Sequence, residues 1–252
     1  MPKAYDTAMC RLFSYSTQSP KIDTVNLIEG LKQFRGWAKI GTVPVGIEAG
    51  HRDGWGAVIY KDGACILYVR SVSSADDDAQ FDVLLESVER IQPDAVIAHL
   101  RKASVGIVSA DNAHPFLFDS LSFCHNGSVT MDVGRAVCDG ASDSRTIFHE
   151  LVRAGGNPFD QLKKVSADVR AKGQYTSFTT LLCDGSKIAA SLDYNPEHPA
   201  ATERGFDGYY TLFEMVTPTA RFVASQILNL PDATTRQFEN RSSIEILVQS
   251  QA

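Results

Sequence analysis

Trp55-Gly56-Ala57-Val58-Ile59-Tyr60-Lys61-Asp62-Gly63-Ala64-Cys65-Ile66-Leu67-Tyr68-Val69-Arg70 reads as two strands about a tight turn. Residues 55–60 and 64–70 are rich in β-branched and aromatic side chains, which suit a pleated surface. Lys61-Asp62-Gly63 supplies the turn, because Asp and Gly tolerate positive φ. Outward from this hairpin, residues 10–16 form a short strand. Residues 21–37 carry Val25, Leu27, Ile28, Leu31 and Phe34 near helical spacing, with Asp23 or Thr24 as cap. Residues 39–53 are loop. On the other side, residues 75–91 predict a helix stopped by Pro93, and 94–101 a strand that delivers Arg101 and Ser104 at its C-terminal end. Residues 121–124 run as a strand into Asn126-Gly127. Residues 142–154 are helical with Asp143 in the first turn, Gly155-Gly156-Asn157-Pro158 breaks them, and 158–169 add another helix. Strands follow at 177–183, 187–193, 208–216 and 220–226, with a further one at 244–249. The polar, proline-bearing segment 195–207 reads as a mobile loop. Interleaved strands and helices without βαβ alternation predict an α+β layered fold in one domain.

The chain has 252 residues, 44% of them hydrophobic, and 24 Lys and Arg against 30 Asp and Glu, a formal charge of −6. That is enough apolar material for a core. An acidic balance with no block of Lys and Arg argues against nucleic acid and anionic membrane as partners. No apolar run approaches the ~18–20 residues that span a bilayer. Residues 1–9 have no apolar centre, so they are not a secretory signal, and a cytoplasmic location is expected. The five cysteines, Cys10, Cys65, Cys124, Cys138 and Cys183, are scattered without a CxxC pair. This suits neither zinc nor a disulfide framework and points to reduced thiols. Cys65, Cys124 and Cys183 read as core residues. Nothing calls for a metal or an organic cofactor.

Met9-Cys10-Arg11-Leu12-Phe13 places a cysteine directly after a methionine. With Met9 as initiator, and removed, Cys10 carries a thiol and a free α-amine on one residue. Nucleophile and base then come together, titrating at about 8.5 and about 7.7–8.0. Residues 1–9 therefore read as a leader or a mis-assigned start, and residues 10–252 as the domain. While the preceding residues remain, the Cys10 nitrogen is an amide without useful basicity. Arg11, next in the chain, is placed to depress the thiol pKa. A lone cysteine is more often a small buried apolar residue, so other segments must carry the argument.

Those segments are His51-Arg52-Asp53-Gly54-Trp55-Gly56, Ala98-His99-Leu100-Arg101-Lys102-Ala103-Ser104, Asn112-Ala113-His114-Pro115-Phe116, Phe123-Cys124-His125-Asn126-Gly127-Ser128 and Ser142-Asp143-Ser144. With Cys10, their order and spacing resemble the class II glutamine amidotransferases, which are N-terminal-nucleophile hydrolases. The resemblance runs from Cys10 to about residue 225 and implies an α+β helix/sheet/sheet/helix sandwich. It implies that Cys10 attacks a glutamine side-chain amide, and that Asn126 and the Gly127 N–H form the oxyanion site. It also places Trp55 and Gly56 at the pocket wall and has His114 shape the glutamine site. Ser104 stands where the family usually has threonine, and Lys102 and Val105 depart from its aromatic and histidine choices.

A free α-amino acid presents one carboxylate and one ammonium. Arg101, with a planar fork at the end of an apolar strand, is the candidate for the carboxylate, and Asp143 for the ammonium. Equally, both could be solvated surface charges, and Asp143 at a helix start needs no function. His51, His99 and His125 are expected to bond to backbone rather than handle protons. Three functions remain open. The first is hydrolysis of glutamine through a Cys10 thioester, with ammonia passed to a synthase subunit. The second is cleavage of a γ-glutamyl amide in a larger metabolite, as ergothioneine-pathway relatives do. The third is a non-catalytic glutamine-binding or partner-binding protein, should residues 1–9 be retained.

Overall fold

A computed structural model of the protein describes residues 10–19, 22–103, 107–130 and 140–249. Its first sheet contains β1 (Arg11–Thr17), β2 (Trp55–Lys61), β3 (Ala64–Ser71), β4 (Ala95–Leu100), β9 (Phe213–Val216), β10 (Ala220–Ala224) and β11 (Thr234–Gln237). Their order across the sheet is β11-β9-β10-β1-β4-β2-β3. The second sheet, ordered β12-β8-β7-β6-β5, contains β5 (Phe116–Phe118), β6 (Leu121–Asn126), β7 (Thr179–Cys183), β8 (Lys187–Leu192) and β12 (Ser242–Leu247). Every strand pairing is antiparallel. The hairpin anticipated at residues 55–70 is β2–β3.

Strand alternation sorts the side chains into three apolar layers. Phe13, Tyr15, Ile59, Val96, Ala98 and Phe222 point to one face of the larger sheet. There they meet Leu31, Phe34 and Trp37 of α1 (Thr24–Ile40), and Phe81, Leu84 and Val88 of α2 (Ala79–Ile91). Leu12, Val58, Ile97 and Val223 point to the other face, against Cys124, Leu181, Ile188 and Ala190 of the second sheet. The outer face of that sheet, with Phe123 and Leu182, is covered by α3 (Asp143–Ala154) and α4 (Pro158–Lys172). The molecule is thus an α+β sandwich layered helix, sheet, sheet, helix, as expected.

The helix starts follow their caps. Asp23, Ser142 and Asn157 each accept a backbone N–H at the start of α1, α3 and α4. The helix read at 75–91 starts only at Ala79, because Asp78 caps it and binds the Gln80 N–H. The strand read from 208 begins at Phe213. Ahead of it stand two one-turn helices, α5 (Ala201–Arg204) and α6 (Phe206–Tyr209). The mobile loop expected at 195–207 is instead packed, with Asn195 bonded to Thr176 O and Gly173 O, and Phe206 buried between the sheets. β5 and β11 escaped the sequence reading. One is three residues long, and the other is wholly exposed and lacks apolar alternation.

Asp78 also accepts the Trp55 indole N–H at 3.0 Å and the Ser71 hydroxyl, joining β2, β3 and the start of α2. Asp78→Ala removes the cap and leaves the buried indole donor without its partner. It should lower unfolding free energy in urea by about 2–3 kcal/mol.

Candidate active site

Cys10 directly precedes β1 and continues the face of Leu12, towards the space between the sheets. Asn126 ends β6 and shares its face with Cys124, which points into the same space. The two residues meet there. The Cys10 N–H donates to Asn126 Oδ1 at 3.0 Å, and both residues are almost fully buried. Because a backbone N–H can only donate, this contact orients the Asn126 amide and leaves Nδ2, with two hydrogens, facing elsewhere. Gly127 follows at φ +141°, where a Cβ would lie 1.9 Å from Ser177 O. Only glycine fits.

Cys10 opens on a cleft of about 260 Å³ whose lining includes Arg101, His114, Gly127, Asp143 and Ser144. Five of the anticipated site residues (Cys10, Arg101, His114, Gly127 and Asp143) therefore face one space. Arg101 Nη1 donates to Ile107 O at 3.2 Å. Asp143 Oδ2 accepts the Val129 N–H and its Oδ1 the Ser144 N–H, each at 2.8 Å. It thereby ties the chain after Gly127 to the start of α3. A larger groove of about 590 Å³, between α4 and the strands β8 and β12, has no cysteine in its lining.

Trp55 does not wall the cleft. Its ring lies in the core beneath α1 and α2, 4.8 Å from the Phe81 ring, and its indole nitrogen is held by Asp78. The Asp53–Gly56 segment acts one step further back. Asp53 N donates to Arg101 O, Arg101 N to Gly54 O, and Ala103 N to Asp53 Oδ2. These three bonds fasten the end of β4 that presents Arg101. At Gly56 a Cβ would sit 2.6 Å from His114 O, so the absence of a side chain lets the His114 segment approach. Ser104 lies outside the described residues.

The charge environment is unusual for a nucleophile. Burial pushes the Cys10 thiol up to about 11, outweighing the lowering by a backbone hydrogen bond at Lys102 and by the charges of Arg101 and Arg11. The expected depression by Arg11 is thus real in sign but smaller than desolvation. Arg11 is itself fully buried; it donates to Cys10 O and Thr42 O, and its guanidinium lies 4.4 Å from the centre of the Tyr209 ring. Among the described residues no carboxylate pairs with it.

The neighbouring histidines are neutral near pH 7, because burial holds His99 down at about 3 and keeps His51, His114 and His125 below the ordinary imidazole value. Their backbone contacts are those expected: His51 Nδ1 on Trp37 O, His99 Nε2 on His125 O and His125 Nε2 on Ser177 O. The carbonyl of Ser177 requires a proton on His125 Nε2, so neutral His125 accepts from Ser144 Oγ at Nδ1, 2.8 Å away. None of these rings bonds to Cys10.

Sequence reasoning did not find Tyr209 or Lys102. The Tyr209 hydroxyl donates to Cys10 O at 3.4 Å. The Cys10 thiol points at Lys102 O, 3.9 Å away, while Lys102 Nζ donates to Glu48 O and Gly50 O and so draws the loop after α1 alongside. Tyr209 falls at the start of the segment read as a strand over 208–216, and no spacing rule links it to Cys10. Lys102 contributes mainly through its carbonyl, which the sequence does not distinguish. Among the described residues, no group of His, Cys, Asp and Glu could hold a metal, and no helix is long and apolar enough to cross a membrane.

The fold agrees with comparisons to known proteins. Residues 9–201 match the family model of class-II glutamine amidotransferases. The Escherichia coli K12 protein YafJ, named as a glutamine amidotransferase, is 28% identical over 209 residues, covering 74% of either chain. Among solved structures, the Bacillus subtilis glutamine phosphoribosylpyrophosphate amidotransferase superposes with a TM-score of 0.60 at 19% identity. That match covers 94% of this chain but 47% of the other. A glutamine aminotransferase class-II domain protein from Silicibacter pomeroyi gives 0.54 at 15% identity, over 94% of both chains. These two likenesses bear on the fold, whereas the family match spans most of the sequence, and the chain belongs to the class-II glutamine amidotransferases.

Proposed function

We propose that the chain, in a form that begins at Cys10, hydrolyses the side-chain amide of glutamine through a thioester on Cys10. The observation that carries this is the 3.0 Å contact between the Cys10 nitrogen and Asn126 Oδ1. It joins the nitrogen that would serve as base to the side chain that would serve the oxyanion. The α-amine takes the thiol proton as sulfur attacks the amide carbon. The tetrahedral oxyanion is met by Asn126 Nδ2 and the Gly127 N–H. The amine returns its proton to the departing nitrogen, ammonia leaves, and water then cleaves the thioester to glutamate.

The electrostatics support this assignment. A thiol pushed up to about 11 needs a base at hand, and the neutral, backbone-bonded histidines are not poised to act as one. The buried Arg11 guanidinium disfavours a second positive charge nearby, so it favours the neutral, basic form of an α-amine at Cys10. Arg101 binds the substrate α-carboxylate and Asp143 its ammonium, both in the lining of the cleft onto which Cys10 opens. Ammonia then passes to water or to a separate synthase chain, and the protein works in the cytoplasm. We read residues 10–252 as one domain. β10 lies beside β1, and β12 beside β8, so strands beyond residue 201 are integral to both sheets.

Four measurements test this. A chain beginning at Cys10 should release glutamate and ammonia from glutamine in a coupled assay, whereas one retaining residues 1–9 should not. Glutamate release by both or by neither would overturn the proposal. In that active form, Asn126→Ala should lower kcat about 10²–10³-fold with little change in KM. Arg101→Lys, which keeps the charge but loses the fork, should instead raise KM strongly, and a kcat effect alone would remove Arg101 from substrate binding. In the longer chain, iodoacetamide labelling of Cys10, read by peptide mass spectrometry, should rise about tenfold per pH unit from pH 8 to 10. The thiolate is populated only as pH approaches about 11. A plateau near pH 9 would mean an unperturbed thiol.

A further inference from the structure

β3 ends the first sheet and β5 the second, and the two edges meet α3 around a groove of about 1000 Å³. Its lining sets Arg70, Asp111 and Arg145 beside the aromatic side chains of Tyr68, Phe116 and Phe148. Among the described residues, none lines both this groove and the Cys10 cleft. We propose that the groove binds a small molecule that joins a doubly charged anionic group to an aromatic ring, the anion being held by Arg70 and Arg145. This site does not rest on the glutamine reading.

The charges are arranged for an anion. Arg70 Nη2 and Arg145 Nη1 stand 3.9 Å from different oxygens of Asp111, longer than a hydrogen bond. The two arginine side chains are only 23% and 30% exposed, whereas that of Asp111 is 68% exposed. Asp111 is the only acidic residue in the lining, against Arg70, Arg145 and Arg153, and Glu150 takes Arg153 at 2.8 Å. Arg70 is fixed by its Nη1, which donates to Asp111 O at 3.4 Å, and by the Tyr68 ring, whose centre is 5.2 Å from the guanidinium. The Tyr68 hydroxyl donates in turn to Pro115 O at 3.0 Å, which ties β3 to the segment before β5. A phosphate group brings about two negative charges and three acceptor oxygens, which suit two guanidinium forks better than one loosely placed carboxylate does.

The rest of the lining is apolar and largely aromatic. On α3 the groove is faced by Arg145, Phe148, His149, Val152 and Arg153, one stripe at helical spacing. Phe116 and Phe148 are buried and stack at 6.0 Å with their planes 20° apart, which makes a flat floor. Phe118, also in the lining, is exposed. Aromatic walls with a few fixed polar groups, in a space of this size, are what small-molecule sites are built from. Phosphate alone would leave the rings unused, and a neutral ring would leave the guanidinium groups unused. The two features together select an aromatic anion.

Titration calorimetry on the full chain, in buffer free of phosphate, tests the site with phenyl phosphate, inorganic phosphate and phenol. Phenyl phosphate should bind saturably with a Kd of about 1 mM or tighter, and about tenfold more tightly than either of the others. Arg70→Gln and Arg145→Gln should each weaken it about tenfold. Phe118→Ala should weaken phenyl phosphate and leave inorganic phosphate unchanged. Asp111→Asn removes the competing carboxylate and should tighten phenyl phosphate severalfold. Arg101→Lys alters the Cys10 cleft and should leave phenyl phosphate affinity as it was. Should an arginine variant fail to fold, the three probes on the unmutated chain and the Asp111→Asn titration still decide. Absence of saturable binding, equal binding of inorganic phosphate or phenol, or unchanged affinity in both arginine variants would overturn the site. So would unchanged affinity in F118A, weaker binding in D111N or loss of binding in R101K. Glutamine turnover enters none of these titrations, so this site and the glutamine reading fail separately.

Discussion

The bond from the Cys10 nitrogen to Asn126 Oδ1 spans 116 residues of sequence and joins one sheet to the other. It exists because two strand parities coincide. Leu12 and Cys124 both point into the layer between the sheets, and a strand repeats its facing every second residue. Packing those two inward therefore brings Cys10 and Asn126 to the same space, at the ends of β1 and β6. A slip of one residue in either strand would turn its member of the pair to the wrong face. The register of β1 against β4 and β10, and of β6 against β5 and β7, is thus a requirement of the site as much as of the core.

Burial sets the electrostatic character of this space. It raises the thiol, depresses the histidines, and encloses a guanidinium that has no carboxylate partner among the described residues. A buried cation is costly unless its donors are used. Arg11 uses the carbonyls of Cys10 and Thr42 and the face of Tyr209, with only Nε left without a partner among the described residues. Spending so much structure on a cation next to Cys10 makes sense if a nearby amine must stay unprotonated. It makes little sense for an inert core cysteine such as Cys124 or Cys183, both of which are also buried with raised thiol pKa values.

The motifs that were conspicuous in the sequence divide into two mechanical roles. Arg101, His114, Gly127 and Asp143 face the cleft. The Asp53–Gly56 segment stands behind, gripping the chain at Arg101–Ala103 through three hydrogen bonds and sinking Trp55 into the core under the cap of α2. A tryptophan with a satisfied indole in a packed layer anchors what is built on it. The precision with which Arg101 is presented thus depends on residues that no substrate would touch.

Sequence alone determined the hairpin at β2–β3, the start of α1 at Asp23 or Thr24, and the helices on either side of Gly155. These are local matters: propensity, capping and spacing act within a few residues. It misplaced Trp55, because one residue type serves both core and pocket until its neighbours are known. It missed β5 and β11, whose short or exposed segments have no apolar alternation. Tyr209 and the Lys102 carbonyl emerged only in the tertiary structure, along with the direction of the Cys10 pKa shift. Each depends on which distant groups surround an atom and how completely they exclude water, and those quantities exist only once the two sheets have packed.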